Sequence, residues 1–239
     1  MNNERSLGES RALAWGVHLL TASGAVLALV ALSAVEQGNE LEALRWLGVA
    51  LIVDAVDGTL ARAAKVRERV PNLSGDSLDL VVDYLTYVLV PALLIWRGGY
   101  LLTAVAFPLT AAILVSSLYT FTRRDMKTDD GYFRGFPALW NVVALYFVVA
   151  TPSPVVATAI AVILIVMTFA PIHVVHPFRA RDYGVILPAT AMAWAIFTAP
   201  LLIPQLGIFW KSFFLAMSLA AAIGLIVMGL LRTARGPAA

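Results

Sequence analysis

The chain has 239 residues, of which 60% are hydrophobic and only 13% charged, with mean hydropathy +0.83 and a formal net charge of +2. Soluble domains carry roughly 45–50% apolar and about 25% charged residues, so a water-soluble globule and a disordered chain are both excluded. The absence of cysteine removes disulfide scaffolds, thiolate metal sites and cysteine nucleophiles, and so small and dispersed a charge argues against a nucleic-acid partner.

Apolar stretches fall at roughly 12–35, 44–64, 77–97, 101–122, 137–151, 154–172, 184–202 and 210–231. A membrane crossing takes about 20 apolar residues, so the pattern predicts an all-α integral membrane protein. Its expected form is a bundle of about eight spans, with 1–239 as a single membrane domain. No cleavable signal pattern precedes the first span, whose apolar stretch is too long for a signal core. His18 sits on that span with no readable role. An acidic turn with Gly38 and Asn39 leads to the second span, and a basic stretch with Pro71-Asn72 leads to the third. Arg97-Gly98-Gly99 and Thr151-Pro152-Ser153-Pro154 read as tight turns, and Arg123 to Gly135 is the longest polar segment. The fifth span, 137–151, is short for a crossing and is expected to be tilted or partly interfacial. His173 and His176, beside Pro177, lack an evident third ligand and read as a structural pair.

Even spacing permits a charge test. With 1–11, 62–76, 123–136, 173–183 and 232–239 on one side, that side holds 14 of the lysines and arginines. Arg45, Arg97 and Lys211 are the 3 left on the other. The asymmetry predicts that the basic side is cytoplasmic, with both termini inside.

The chemistry concentrates in a hairpin, 44–97, made by the second and third spans. The second ends in Asp54-Ala55-Val56-Asp57-Gly58-Thr59-Leu60-Ala61-Arg62 and the third begins Gly75-Asp76-Ser77-Leu78-Asp79-Leu80-Val81-Val82-Asp83. Asp54, Asp57, Gly58, Ala61 and Arg62 share one helix face, and Gly75, Asp79 and Asp83 step by four along another. Asp54 lies eight residues above Arg62 and Asp83 eight above Gly75, each about 12 Å, so four acids can face one another in a groove. An aspartate at a helix centre costs about 2.5–3.5 kcal/mol to insert, and such residues line cavities or pair. Arg62 alone offers one positive charge against four negative ones. Divalent cations resolve the imbalance: carboxylate oxygens suit Mg²⁺ or Mn²⁺, four carboxylates suit two ions, and a two-metal centre clamps phosphate oxygens. Gly58, Ala61 and Gly75 leave room beside the acids for a bulky ligand. The same acids could instead form a proton or cation relay in a transporter.

The pattern D-x-x-D-G-x-x-A-R, a spacer, then G-x-x-x-D-x-x-x-D resembles the signature of the CDP-alcohol phosphatidyltransferases, with every fixed position filled. The spacer, Ala63 to Ser74, is longer than is usual in that family. It is similar to the bacterial branch that makes phosphatidylcholine, as are Asp83-Tyr84-Leu85-Thr86-Tyr87, Phe133-Arg134-Gly135-Phe136-Pro137, Trp140-Asn141 and His176-Pro177. The resemblance implies a multi-pass enzyme of the bacterial inner membrane whose active site faces the cytoplasm. It implies direct transfer of the phosphatidyl group from CDP-diacylglycerol to choline, releasing CMP. Asp54, Asp57, Asp79 and Asp83 would hold two divalent cations, Mn²⁺ or Mg²⁺, and Asp83 would also act as general base. Gly58, Ala61, Arg62 and Gly75 would form the CDP-binding surface. Asp76 is not a fixed position and is expected to cap the third span's helix. Related enzymes use serine, glycerol phosphate or inositol phosphate as acceptor. Homodimers are common in the family, and no motif here marks an interface.

Choline carries a quaternary ammonium with no N–H donor, so its recognition falls to aromatic faces. Tyr87, four residues after Asp83, and Trp140 are the expected choline contacts. Tyr132, Phe133 and Phe136 are further aromatics of the same cytoplasmic segment as Trp140. Arg123, Arg124, Arg134, Arg179 and Arg181 suit phosphate oxygens of the substrate or of anionic lipid headgroups.

Overall fold

Local sequence sets where each helix starts and stops. The computed structural model describes residues 2–180 and 182–236, with side chains from residue 11 onward; Arg181 and the side chain of Arg5 lie outside the described residues. In chain order come α1 (Asn2–Glu36), α2 (Glu40–Ala63), α3 (Val66–Arg69), α4 (Gly75–Asp83), a π-helical segment (Tyr84–Leu89) and α5 (Val90–Arg97). Then follow α6 (Ala106–Thr122), β1 (Tyr132–Arg134), α7 (Trp140–Ala150), α8 (Pro154–Phe169), β2 (His173–Val175), α9 (Ile186–Thr198) continued by a 3₁₀ turn (Ala199–Leu202), and α10 (Ile208–Arg235). The small antiparallel pair β1–β2 sets Tyr132 opposite Val175 and Arg134 opposite His173; the all-α expectation did not include it.

Among the described residues three helical stretches, Arg11–Glu36, Gly75–Arg97 and Ile208–Arg235, are long and apolar enough to cross a membrane. Ala106–Thr122, Trp140–Ala150, Pro154–Phe169 and Ile186–Leu202 are shorter apolar helices. Trp140–Ala150, the stretch expected to be short, has 11 residues, about 16 Å of helix against roughly 30 Å of hydrocarbon. Large apolar side chains point outward: Leu13, Leu19, Val26 and Leu29 on α1, Ile52 and Val56 on α2, Ile208 and Phe209 on α10. Apolar surface on this scale is incompatible with water and suits lipid. The molecule is an α-helical membrane protein.

The chain divides into two compact units, Met1–Gly98 and Gly99–Ala239. In the first, α1 packs along α2 and against α4 and α5 through a buried stripe that includes Ala14, Val17, His18, Thr21, Gly24, Ala28, Ala31 and Val35. Small residues let helices approach without a side chain between them; a Cβ at Gly24 would collide with Val82 of α4. The long spacer is folded rather than loose. Lys65 adopts a left-handed conformation (φ 46°), α3 follows, and Val66 and Val70 pack with Ala64 onto Ala14 and Val17. Ser74, not Asp76, caps α4, accepting from the Ser77 amide at 3.2 Å. Asp76 accepts two hydrogen bonds from the Arg67 guanidinium, at 2.6 and 2.8 Å. Serine and aspartate are comparable caps, and the arginine on α3 decides between them.

In the second unit α9 packs on α10, and α6 on α8. Buried hydroxyls there satisfy one another: Trp194 donates to Tyr146 Oη at 2.9 Å, and Ser218 Oγ lies 2.8 Å from that oxygen and 2.7 Å from Thr198 Oγ1.

Candidate active site

The face of α2 that carries Asp54 and Asp57 and the face of α4 that carries Asp79 and Asp83 meet beside α1, inside the first unit. One carboxylate oxygen each from Asp54, Asp57 and Asp79 lie within 4.8 Å of one another. Asp57 is buried, 4% exposed, while Asp54 and Asp79 are half-buried. Asp83, half-buried, lies within electrostatic reach of Asp54, Asp79 and Asp57. Together these acids line a cavity of about 10 Å³, closed from the α1 side by Thr21 and Gly24. That volume is about the size of one water-sized species.

Two hydroxyls lie beside the acids. Tyr87 donates from its phenol to Asp54 Oδ2 at 2.8 Å, and Thr21, whose hydroxyl donates to Val17 O at 3.3 Å, lines the cavity beside Asp57. Tyr87 lies in the π-helical segment, a widened turn that starts directly after Asp83; such turns recur at functional sites. Magnitudes show why hydroxyls alone do not balance the site. Two ionised carboxylates 4.8 Å apart repel by roughly 3 kcal/mol at an effective dielectric near 20. A neutral hydrogen bond returns about 0.5–1.5 kcal/mol. Hard oxygen donors gathered this closely are a fitting donor set for a divalent cation, so Asp54, Asp57 and Asp79 could hold a metal ion.

No family model matches the chain. Curated relatives do. The chain is 46% identical over 198 residues to a phosphatidylcholine synthase of Pseudomonas aeruginosa, covering 82% of each protein. It is 45% identical over 186 residues to one of Bradyrhizobium diazoefficiens, covering 78% of this chain and 70% of that protein. It is 36% identical over 220 residues to one of Brucella melitensis, covering 92% of this chain and 76% of that protein. The chain belongs to the phosphatidylcholine synthase family. This is the branch that the signature, the long spacer and the 133–141 segment resemble.

The other residues expected at a phosphatidylcholine synthase site fall in different surroundings. Arg62 is exposed and donates to Thr59 Oγ1 at 3.0 Å, and its Nη1 lies 3.7 Å from the position a Gly58 Cβ would take. Ala61 is half-buried against the cluster of Ala14, Val17 and Ala64. Gly75 has the imidazole edge of His18 over it, with Cε1 3.3 Å from its would-be Cβ. Trp140, in the second unit, is fully buried, donates to Ser117 Oγ at 3.0 Å and meets Phe136 edge-on. Tyr132 is fully buried and donates to Asp182 at 2.9 Å.

Arg123 pairs with Asp125 at 2.8 Å. The two histidines form no metal group among the described residues: His173 Nδ1 lies 3.2 Å from Thr233 Oγ1, and His176 stacks on Phe133 with ring centroids 5.4 Å apart. Burial, with Lys127 and Arg179 nearby, pushes His176 down to about 4 from its ordinary 6.5, which keeps it neutral.

The contribution of α1 was missed by sequence reasoning. His18, Thr21 and Gly24 have no place in the signature, and their signal is only the three-and-four spacing of small and polar residues along that span.

Proposed function

We propose that the chain transfers the phosphatidyl group of CDP-diacylglycerol to choline, giving phosphatidylcholine and CMP. The observation that carries this reading is the meeting of three aspartate carboxylates within 4.8 Å, with Asp83 lining the same cavity, in a chain 46% identical to a curated phosphatidylcholine synthase. Asp54, Asp57, Asp79 and Asp83 hold the divalent cations, two Mn²⁺ or Mg²⁺ ions in this reading. Cations held there would neutralise the carboxylates and supply charge stabilisation to the substrate's diphosphate.

Asp83 removes the hydroxyl proton as the choline oxygen forms its bond to the β-phosphorus. The bond from that phosphorus to the bridging oxygen breaks, and CMP departs with the electron pair. General-base assistance of this kind is worth 10²–10⁴-fold. Gly58 and Ala61 leave room for the nucleotide. Gly75 closes its inner wall, and exposed Arg62 offers a planar fork to phosphate oxygens. Tyr87 holds Asp54 through its hydroxyl and turns its ring to the alcohol. Trp140 is proposed as a second choline contact on its sequence position, to be tested separately because its ring is buried.

The same reading makes the chain one catalytic domain of the bacterial inner membrane, with about eight spans and both termini cytoplasmic. It is supported by the 14-to-3 split of basic residues and by eight apolar stretches that each coincide with helix. The acids then lie just beneath the cytoplasmic face, within reach of choline from water and of lipid from the bilayer, and two copies form a homodimer.

Purified protein incubated with Mn²⁺, CDP-diacylglycerol and a panel of choline, serine, glycerol phosphate and inositol phosphate is the test. CMP and phosphatidylcholine should appear with choline alone. Product from another acceptor would reassign the alcohol, and cation-driven uptake into vesicles without CMP would replace the enzyme by a transporter.

A further inference from the structure

Among the described residues one buried side-chain polar atom has no hydrogen-bond partner: Nε2 of His18. The side chain is 4% exposed, within a stripe otherwise made of small and apolar residues such as Ala14 and Val17. Trp15 meets the ring edge-on at 6.1 Å, and Cε1 lies 3.3 Å from the position a Cβ on Gly75 would take. A polar nitrogen left unpaired in such surroundings destabilises the fold, and an apolar ring of similar size would not. A buried orphan of this kind points to a partner that arrives with a ligand.

Its position says which part of the ligand. Thr21, three residues along α1 from His18, lines the same cavity as Asp57. Gly75 precedes Asp79 by one turn of α4. His18 is therefore about one helical turn, some 5 Å, from the acids on the side of Gly75. In the function proposed above, on which this inference rests, the acids grip the diphosphate and Gly75 borders the nucleotide.

We propose that His18 is a substrate-binding residue of the CDP site. With its ring wedged on Gly75, Nε2 hydrogen-bonds an oxygen of the nucleotide half of CDP-diacylglycerol. A neutral imidazole supplies one donor and one acceptor, and either role is available to Nε2 through the tautomer. A Cβ on Gly75 would lie 3.3 Å from Cε1, so the ring would have to give by a few tenths of an ångström.

Equilibrium binding of CMP in the presence of Mn²⁺ tests the assignment on wild type, His18→Phe and His18→Gln, together with the thermal midpoint of each without nucleotide. His18→Phe should bind CMP about tenfold more weakly, as for loss of one hydrogen bond, and melt higher than wild type. His18→Gln, which keeps a side-chain donor and acceptor, should bind CMP more tightly than His18→Phe, and the choline KM of both variants should stay at the wild-type value. Wild-type CMP affinity in folded His18→Phe overturns the inference and leaves the proposed function standing. A wild-type protein that binds no CMP with Mn²⁺ overturns both. A side chain that only packs would shift the melting temperatures without that order of nucleotide affinities.

Discussion

The two units of the chain bury charge in opposite ways. In the second, Asp130 receives the Arg232 guanidinium at 2.6 Å, that guanidinium lies over the Tyr132 ring at 5.6 Å, and Tyr132 donates to Asp182. Burial pushes the Asp130 carboxyl up, but Arg232 and Thr128 outweigh it and hold the group below its ordinary 3.8. In the first unit, Asp54, Asp57, Asp79 and Asp83 line one small cavity, and Asp54 accepts from the neutral hydroxyl of Tyr87. A buried acid that meets its own cation is part of the architecture. Acids that meet one another form a donor set that could hold a metal ion.

Substitutions can break or sharpen that contrast. The largest effect should come from the first unit. Asp83→Asn should slow CMP release by roughly 10²–10⁴-fold while the protein stays folded. Alanine at Asp54, Asp57 or Asp79 should abolish release without lowering the thermal midpoint, because each removes like-charge repulsion along with a ligand. In the second unit the order reverses. Arg232→Met should cost roughly 2–3 kcal/mol of stability, below the full value for a buried pair since Asp130 is 23% exposed, and leave turnover per folded molecule unchanged. Denaturant melts of detergent-solubilised protein would read this directly.

Next in size, Tyr87→Ala should raise the choline KM about tenfold, with a much smaller change for CDP-diacylglycerol. Equal changes for both substrates would remove Tyr87 from the choline site. The smallest effect concerns pH. His176 titrates at 6.5 unfolded and about 4 folded, so acidification through that window protonates the unfolded chain first and lowers stability. His176→Phe should flatten the dependence of the melting temperature on pH between those values.

Much of the site was legible because it is local. Steps of three and four within one helix place Asp54 with Asp57, and Asp79 with Asp83, from spacing alone, and the two helices are neighbours in the chain. What escaped is tertiary or conformational. Thr21 and Gly24 join the site only because α1 packs against both α2 and α4, and nothing in their own neighbourhood marks them. The π-helical segment that carries Tyr87 has the composition of an ordinary span. The choice of Ser74 over Asp76 as the cap was set by Arg67, which the folded spacer brings to Asp76. Burial is likewise not legible at Trp140: an aromatic at a membrane rim suggests a ligand contact, and its indole is fully enclosed and paired with Ser117.

CMP release by the purified protein, followed as EDTA is titrated in and Mn²⁺ then added back, tests most directly whether the acids of the first unit work by holding divalent cations. Release should stop as the chelator exceeds the metal and return with Mn²⁺. Turnover that persists at full rate in excess EDTA would contradict the account.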